Sequence, residues 1–229
     1  MKTEIHSITP SKARSNGKHI VIPPITSDEN VVISAPKFSL AEFHITGTAP
    51  YVQAKFAAKA RNMMREKHMA GGTAKGKKVR EARDFDADYE GAIHRSDEGW
   101  PGIPASAFRC ACISACRLVG FKMTLAKLSF FVEADGFDET DGTPLIKIIG
   151  EPMKCEHMVR NATGVADIRV RAMWKKWDAM VKVRYDAEQF TIADLTNLMM
   201  RVGMQVGIGE GRPDSRESCG MGWGTFNVE

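Results

Sequence analysis

The feature that most constrains this chain is a run of glycines close to its C-terminus. Six glycines fall within eighteen positions, at Gly207, Gly209, Gly211, Gly220, Gly222 and Gly224. Glycine adopts left-handed backbone conformations without steric cost, and it lacks the Cβ atom that would hold a ligand away from the main chain. Successive amide groups in such a loop can bind an anion such as phosphate. The pattern predicts an anion site lined by backbone or, as the simpler alternative, a flexible hairpin connection.

Cationic and aromatic residues accompany these glycines. Arg212 and Arg216 bound the spacer segment Arg212-Pro213-Asp214-Ser215-Arg216. A guanidinium group binds phosphate oxygens through paired hydrogen bonds. Trp223 stands between two glycines, and an indole ring in such a position can stack on a base. The loop is therefore predicted to contact a phosphodiester strand.

The charge distribution also favours a polyanionic partner. Between Lys55 and Arg83 there are ten Lys and Arg residues and two Glu, so this stretch carries +8 while the whole chain carries +4. A concentrated basic segment is typical of nucleic-acid-binding proteins, and a solvated loop with no partner is the alternative. The candidate binding residues here are Lys55, Lys59, Arg61, Arg65, Lys75, Lys77, Lys78 and Arg80.

Composition points to a cytoplasmic protein with reduced thiols. No apolar run approaches the roughly 18 residues of a membrane span, and the N-terminal segment lacks the apolar region of a secretory signal. The five cysteines are odd in number, which favours free thiols over a disulfide framework. Cys110, Cys112 and Cys116 lie among small residues, and we expect them to serve close helix packing.

Periodicity predicts a core domain formed by residues 36–51 and 100–229, with an N-terminal arm over 1–35. The polar segment 52–99 is expected to be an insertion between the first strand and the first core helix. Alternation of apolar and polar residues predicts strands at 38–48, 125–134, 145–149, 168–174, 177–185 and 223–228. Helical spacing and capping residues predict core helices at 104–118 and 191–202.

The order of the core elements is strand, helix, strand, strand, helix, strand. This βαββαβ order is that of the ferredoxin-like fold and of RNA-recognition modules. We therefore predict an α+β protein with a ferredoxin-like or RRM-like core, a long basic insertion and extra strands. The fold supports many functions and does not decide among them.

Two motifs in this order resemble those of the RAMP superfamily, the ferredoxin-fold RNA-binding subunits of CRISPR effector complexes. The segment Gly102-Ile-Pro-Ala-Ser-Ala-Phe-Arg109 is similar to the Ile-Pro-Gly-Ser-Ser-Leu-Lys opening of the family's first helix. The glycine loop resembles the family's C-terminal signature, in which two Gly-φ-Gly units with apolar φ flank a spacer. Ala105 and Ala107 replace a glycine and a serine of the family's pattern.

The resemblance implies that the glycine loop and the start of the first helix line a nucleic-acid path. It adds Ser106 and Arg109 to the candidate residues, since a helix N-terminus offers free amide groups to phosphate. It further implies non-catalytic binding of single-stranded, guide-type RNA through the phosphate backbone, with DNA left open. The protein would then be a repeated backbone subunit of a ribonucleoprotein, as a homo-oligomer or with other subunits.

Enzymatic activity is the weaker hypothesis. Asp84, Asp86 and Asp88 offer oxygen ligands to Mg²⁺ for strand cleavage, as a thumb aspartate does in some RAMP subunits, and a solvated acidic run is the simpler interpretation. The chain has no Walker A, GxSxG, HExxH or zinc-finger pattern, so we expect neither a cofactor nor a metal. A metal-dependent endoribonuclease and a protein–protein module, viral or inhibitory, of the same fold are the alternative functions.

Overall fold

Antiparallel strands and five helices make up the described part of the protein. The computed structural model describes residues 34–56, 58–69, 83–160, 164–215 and 220–229. The strands are β1 (Phe38–Gly47), β2 (Tyr51–Gln53), β3 (Gly102–Pro104), β4 (Phe130–Glu133), β5 (Gly136–Phe137), β6 (Pro144–Ile149), β7 (Met153–Arg160), β8 (Ala166–Trp174), β9 (Asp178–Asp186) and β10 (Phe226–Val228). The helices are α1 (Ala58–Met69), α2 (Phe85–Glu90), α3 (Ala105–Leu118), α4 (Met123–Ser129) and α5 (Ile192–Arg201).

The larger sheet is organised around the long antiparallel pair of β1 and β9. Their register runs from Phe38 opposite Asp186 to Thr46 opposite Asp178. Strand β10 pairs with the other edge of β1, and both β4 and β6 pair with β9. All of these pairings are antiparallel, and with the helices they make the protein a member of the α+β class.

One face of this sheet is covered by helices and the other is open. Successive strand residues point to opposite faces, so Phe43 and Val181 enter the core with Phe108 of α3 and Leu195 of α5. The opposite face carries residues that are at least partly exposed, among them Leu40, Glu42, Lys182 and Arg184. The alternation predicted for 38–48 and 177–185 is thus confirmed as strands β1 and β9.

A second, three-stranded sheet has the order β2-β8-β7. Tyr51 of β2 lies opposite Trp174 of β8, and its ring is also 5.7 Å from that of Trp177. All three aromatic side chains are buried. Strand β7 was not predicted, because its exposed methionines obscure the alternation of the segment.

Small side chains let α3 pack deeply into the core. Cys112 and Cys116 are fully buried, and the Sγ atom of Cys112 lies 3.7 Å from Sδ of Met199 on α5. Burial raises the pKa of Cys112 to about 12 and that of Cys116 to about 11. Cys110, by contrast, is exposed.

The strand predicted at 125–134 is wrong in its first half. Residues Met123–Ser129 form helix α4, and only Phe130–Glu133 form a strand. Leu, Ala and Lys favour helix, and the buried pair Ala126 and Ser129 lies at helical spacing. The apolar content of the segment therefore reflects a helix face that packs next to α3.

The predicted capping residues of α5 are confirmed. The Asp194 amide donates to Thr191 Oγ1 over 3.1 Å, and the Thr191 amide donates to Asp194 Oδ2 over 3.0 Å. The helix continues as a π-helical turn, Val202–Val206, which is followed by Gly207 with φ of 68°. This change of backbone conformation begins the glycine loop.

The segment 52–99 is anchored to the rest of the protein at both ends. Gln53 is buried in β2, donates to the carbonyl of Gly102 over 2.7 Å and accepts from the amide of His94 over 2.9 Å. Ile93 belongs to the main core. Residues 36–229 accordingly form one compact unit, whereas the predicted arm, 1–35, lies almost wholly outside the described residues. None of the described helices has the length and apolar character required to cross a membrane.

Candidate nucleic-acid interface

The glycine loop has the backbone geometry that its sequence predicts. All six glycines have positive φ angles between 68° and 79°, at Gly207, Gly209, Gly211, Gly220, Gly222 and Gly224. Gly224 is constrained further, since a Cβ atom there would collide with the carbonyl oxygen of Ile208. This close approach brings the two halves of the loop together.

Many of the loop amides donate within the protein, which corrects the prediction of an open row of donors. The amide of Ile208 donates to Gly224 O over 3.0 Å, and the amide of Gly224 donates to Pro50 O over 2.8 Å. The amide of Glu210 donates to Val52 O over 2.9 Å. Within the described ranges, the amides of Gly209 and Gly211 have no protein acceptor. The loop is a structured element that leaves only part of its backbone for a ligand.

A groove of about 290 Å³ separates the start of α3 from the glycine loop. One wall is lined by Pro104, the last residue of β3, and by Ser106, Ala107, Cys110, Ala111 and Ser114 of α3. The other wall is lined by Val206, Ile208, Gly209 and Arg212. Helix α3 begins without a side-chain cap, and Ser106 in its first turn is exposed. The groove therefore combines the first turn of α3, which has no side-chain cap, with a guanidinium group.

Arg212 is half-buried at the edge of this groove. Its Nη1 atom donates to Gly209 O over 3.1 Å, which holds the guanidinium group against the loop; a guanidinium group has five N–H donors in all. Arg216, the second predicted phosphate ligand of the loop, lies outside the described residues. Of the two predicted arginines, the described residues include Arg212.

An ion pair closes the far end of the same wall. Arg117 of α3 lies 2.9 Å from Asp214 of the loop. A smaller cavity of about 140 Å³ is lined by both residues and shares Ser114 and Val206 with the groove. The depression follows α3 from Pro104 to Leu118, a distance of about 20 Å at 1.5 Å per residue.

Trp223 is partly exposed and packs against its own loop and β7. Its indole ring lies over Gly211, where a side chain would strike it. The ring of His157 is 5.0 Å away at an angle of 43°. Protein contacts therefore cover part of the indole ring, and a base could stack only on the part of the ring that stays exposed.

A group of charged residues that was not predicted as part of the site links the glycine loop to strand β8. Glu210 forms an ion pair with Arg171 of β8, and Arg169 lies 3.9 Å from the same carboxylate. These pairs neutralise the acidic residue of the first glycine unit. The sequence does indicate that Arg169 and Arg171 project from the same face of a strand. It does not indicate that this face lies next to the glycine loop.

Arg109 has a structural role in place of the predicted contact with phosphate. Its Nε atom donates to Phe130 O over 2.9 Å, and its Nη2 atom donates to Lys127 O over 2.6 Å. The guanidinium carbon also lies 5.2 Å from the ring centre of Phe131. Arg109 therefore joins α3 to α4 and β4 and is not part of the groove lining.

Lys55 is likewise engaged inside the protein. Its Nζ atom lies 2.8 Å from Asp138 Oδ1 and 3.0 Å from Thr140 Oγ1. This buried pair corrects the prediction that Lys55 binds nucleic acid. Arg61 contacts Asp141 over 2.8 Å at the surface, and Arg65 is exposed on α1. Lys59 belongs to α1, whereas Lys75, Lys77, Lys78 and Arg80 lie outside the described residues.

The three predicted acidic ligands have separate protein partners. Asp84 caps α2 by accepting from the amides of Asp86 and Ala87, each over 3.0 Å. Asp86 pairs with Lys154 over 2.7 Å, and Asp88 pairs with Arg83. These contacts favour the structural interpretation of the acidic run over a Mg²⁺ site.

Another group of potential ligands is formed by His94, Asp138 and Asp141. Their ligand atoms lie within 4.8 Å of one another. However, the ammonium group of Lys55 contacts Asp138, and the guanidinium group of Arg61 contacts Asp141. These two cations already neutralise the carboxylates, so the group is explained as an internal charge network.

Searches with protein-family models and against curated protein sequences each give no match for this chain.

Proposed function

We propose that this protein binds single-stranded RNA through its phosphate backbone, in the groove between the start of α3 and the glycine loop. The proposal includes a ferredoxin-like core and kinship with the RAMP superfamily. Assembly as a repeated backbone subunit, alone or with other subunits, stays a prediction from that resemblance.

The strand order supports the ferredoxin-like part of the proposal. Strands β1, β4, β9 and β10, with α3 and α5 between them, follow the βαββαβ sequence. The first and third of these strands, β1 and β9, are central, and β4 and β10 flank them. Because each neighbour is antiparallel, the arrangement matches a split β-α-β unit repeated once.

The observation that carries the functional proposal is the position of the groove. The two motifs that resemble the RAMP family are separated by about 100 residues in the chain, and they line opposite walls of one depression. One wall offers the uncapped amides of a 14-residue helix, and the other offers Arg212 and positive-φ glycine backbone. Both are groups that bind phosphate.

The electrostatics of the walls are compatible with a polyanion. The two acidic residues of the first half of the loop are paired: Glu210 with Arg171, and Asp214 with Arg117. Small side chains along the exposed side of α3, such as Ser106 and Ser114, leave room for a sugar-phosphate chain. A strand bound in this way would be recognised by its backbone more than by its bases.

The test is a titration of fluorescently labelled single-stranded RNA with wild-type protein and the Arg212→Ala variant. Arg184→Ala is the matched control, because Arg184 lies on the open face of the central sheet, away from α3. We expect Arg212→Ala to weaken binding about tenfold, since charged hydrogen bonds contribute about 1.5–3 kcal/mol. The affinity of the wild type should also fall steeply as salt is raised, because phosphate contacts release counterions.

The control distinguishes two locations for the RNA. If Arg184→Ala weakens binding and Arg212→Ala does not, the strand lies on the open sheet face and the groove is the wrong site. If wild type shows no salt-dependent binding at all, the proposed function is wrong. A DNA strand of the same sequence, titrated in parallel, shows whether 2′-hydroxyl groups contribute.

A further inference from the structure

A thiol and an imidazole lie side by side on strand β7. Cys155 and His157 are two residues apart, so their side chains project from the same face of the strand. The Sγ atom of Cys155 is 2.9 Å from Nε2 of His157. Both side chains are only partly buried, so a small molecule can reach them. A nucleophile within hydrogen-bond distance of a base is the arrangement that activates a thiol.

The surroundings fix this pair in place. The imidazole packs against the indole of Trp223, with ring centres 5.0 Å apart. On the facing strand, Arg171 lies opposite Cys155 and Arg169 lies opposite His157. Both arginines are paired with Glu210. The positive charge of Lys175 acts on the Cys155 thiol against the effect of burial, and positive charge stabilises a thiolate.

We propose that Cys155 is a modification site, a thiol activated by His157 that exchanges with small disulfides. Thiol exchange is measured without RNA, so the proposal does not depend on nucleic-acid binding. It assigns a role to a cysteine that has no part in core packing.

The reaction needs a base because burial raises the pKa of the Cys155 thiol. His157, with its proton on Nδ1, accepts the thiol proton at Nε2. The Cys155 thiolate attacks one sulfur of the disulfide, a new S–S bond forms, and the original S–S bond breaks. The departing thiolate takes the proton from the imidazolium group, so the products are a mixed disulfide on Cys155 and one free small thiol.

The other described cysteines provide internal references. Cys110 is exposed and lies on α3, so it reports an accessible thiol elsewhere on the protein. Cys112 and Cys116 are buried, and their raised pKa values, about 12 and 11, keep them protonated and slow to react. Cys219 lies outside the described residues and is replaced by serine in the experiment.

The experiment compares two variants of the full chain by their rate of reaction with dithiobis(nitrobenzoate). One variant, Cys110→Ser with Cys219→Ser, retains Cys155, and the other, Cys155→Ser with Cys219→Ser, retains Cys110. At neutral pH we expect Cys155 to react about tenfold faster than Cys110. Adding His157→Gln to the first variant should lower the reaction rate of Cys155 by about tenfold or more. General-base catalysis typically contributes about 10²–10⁴ to a rate. Above the pKa of the thiol the two rates should converge, because deprotonation no longer needs the imidazole.

Glu156→Gln is the matched control, because residue 156 lies between the pair in sequence and projects from the opposite face of β7. It should leave the rate unchanged. Equal rates with and without His157 in folded protein, or a Cys155 slower than Cys110, would overturn the proposal.

The pH dependence of the reaction rate of the Cys110→Ser, Cys219→Ser variant gives a test that needs no histidine substitution. A thiol activated by a neighbouring base keeps its rate of reaction at pH values where an unassisted thiol is protonated and slow to react. A rate that falls with pH in the same way as the rate of the Cys110 thiol would contradict activation by His157.

Discussion

The Nζ atom of Lys55 lies 2.8 Å from Oδ1 of Asp138, and their side chains are only 8% and 0% exposed. The other carboxylate oxygen of Asp138 is 2.8 Å from Nδ1 of His94, and the amide of Thr140 donates to Oδ1 over 2.8 Å. This network connects Lys55 and His94, which lie near the two ends of segment 52–99, to the loop after β5. A buried charge of this kind is tolerated because its partners are in place.

Replacing Lys55 with methionine should destabilise the protein strongly. Methionine keeps the length of the side chain but leaves the Asp138 carboxylate buried without its cation, and breaking such a pair costs about 3–5 kcal/mol. The free energy of unfolding, measured by urea titration, checks this expectation. Arg61→Met is the control, because Arg61 and Asp141 form a more exposed pair that should contribute about 0–1 kcal/mol. A Lys55→Met variant with unchanged stability and weakened RNA binding would contradict the structural role.

The same carboxylate predicts a loss of stability in acid. Burial alone would raise the pKa of Asp138, but hydrogen bonds from Lys55, Thr140 and His94 outweigh it and lower the pKa from 3.8 to about 2. A lowered pKa in the folded state stabilises the protein above pH 3.8, and this contribution is lost as the pH falls towards 2. The expected loss is about 2 kcal/mol at 1.36 kcal/mol per pKa unit.

Urea titrations between pH 5 and about pH 2 measure how the free energy of unfolding depends on pH, over the range in which the lowered pKa acts. Asp138→Asn should remove the contribution of Asp138 to the slope of unfolding free energy against pH, whatever the effect of the substitution on stability at neutral pH. An unchanged slope in this variant would assign the acid sensitivity to other carboxylates, such as Asp141, whose pKa is lowered first of all by the hydrogen bond from Thr143.

Arg109 should prove necessary for stability and dispensable for binding. Arg109→Lys retains the charge but cannot donate to the carbonyls of both Phe130 and Lys127 in the same geometry. We expect a loss of about 1.5–3 kcal/mol in the free energy of unfolding, the range for hydrogen bonds to charged groups. The affinity for single-stranded RNA should stay within a factor of two of wild type. A large loss of affinity in folded protein would restore the sequence-based role of Arg109 as a phosphate ligand.

Patterns among residues close together in the sequence correctly predicted those strands and helices that have one apolar face. Strands β1 and β9 followed from alternation, and α5 followed from Thr191 and Asp194 together with apolar residues at helical spacing. The positive φ angles of the loop followed from its glycines. In each case the determining residues are neighbours in the chain, so no knowledge of tertiary contacts was needed.

The main differences between the sequence-based predictions and the structure arise from contacts between residues that are far apart in the chain. Nothing near Lys55 in the sequence shows that Asp138 will lie beside it, 83 residues later. Arg109 was predicted to contact phosphate because of the resemblance of the α3 opening to the RAMP motif. Its acceptors, the carbonyls of Lys127 and Phe130, come close to it only when α4 has formed. Lys55 and Arg109 thus have protein partners that the sequence did not indicate, whereas Ser106, Gly209 and Arg212 line the groove.

The final prediction concerns the two glycines that bracket Trp223. Both Gly222 and Gly224 have positive φ angles, 73° and 68°, so alanine at either position meets a backbone cost of about 1–2 kcal/mol. Only at Gly224 would the added Cβ also meet the backbone of Ile208, whereas at Gly222 the space is open. Gly224→Ala should therefore lose a further 1–3 kcal/mol or so, the usual range for overpacking.

Comparison of the two variants isolates the contact between the halves of the loop, because the backbone conformation is matched. Urea titration gives the stability difference, and the RNA titration gives its consequence for the site. Since Gly224 accepts from Ile208 and donates to Pro50, its displacement should move the wall of the groove and reduce affinity. Gly222→Ala should retain binding close to wild type. Equal stability losses in the two variants would mean that the loop can open at this point, and that its close approach does not shape the groove.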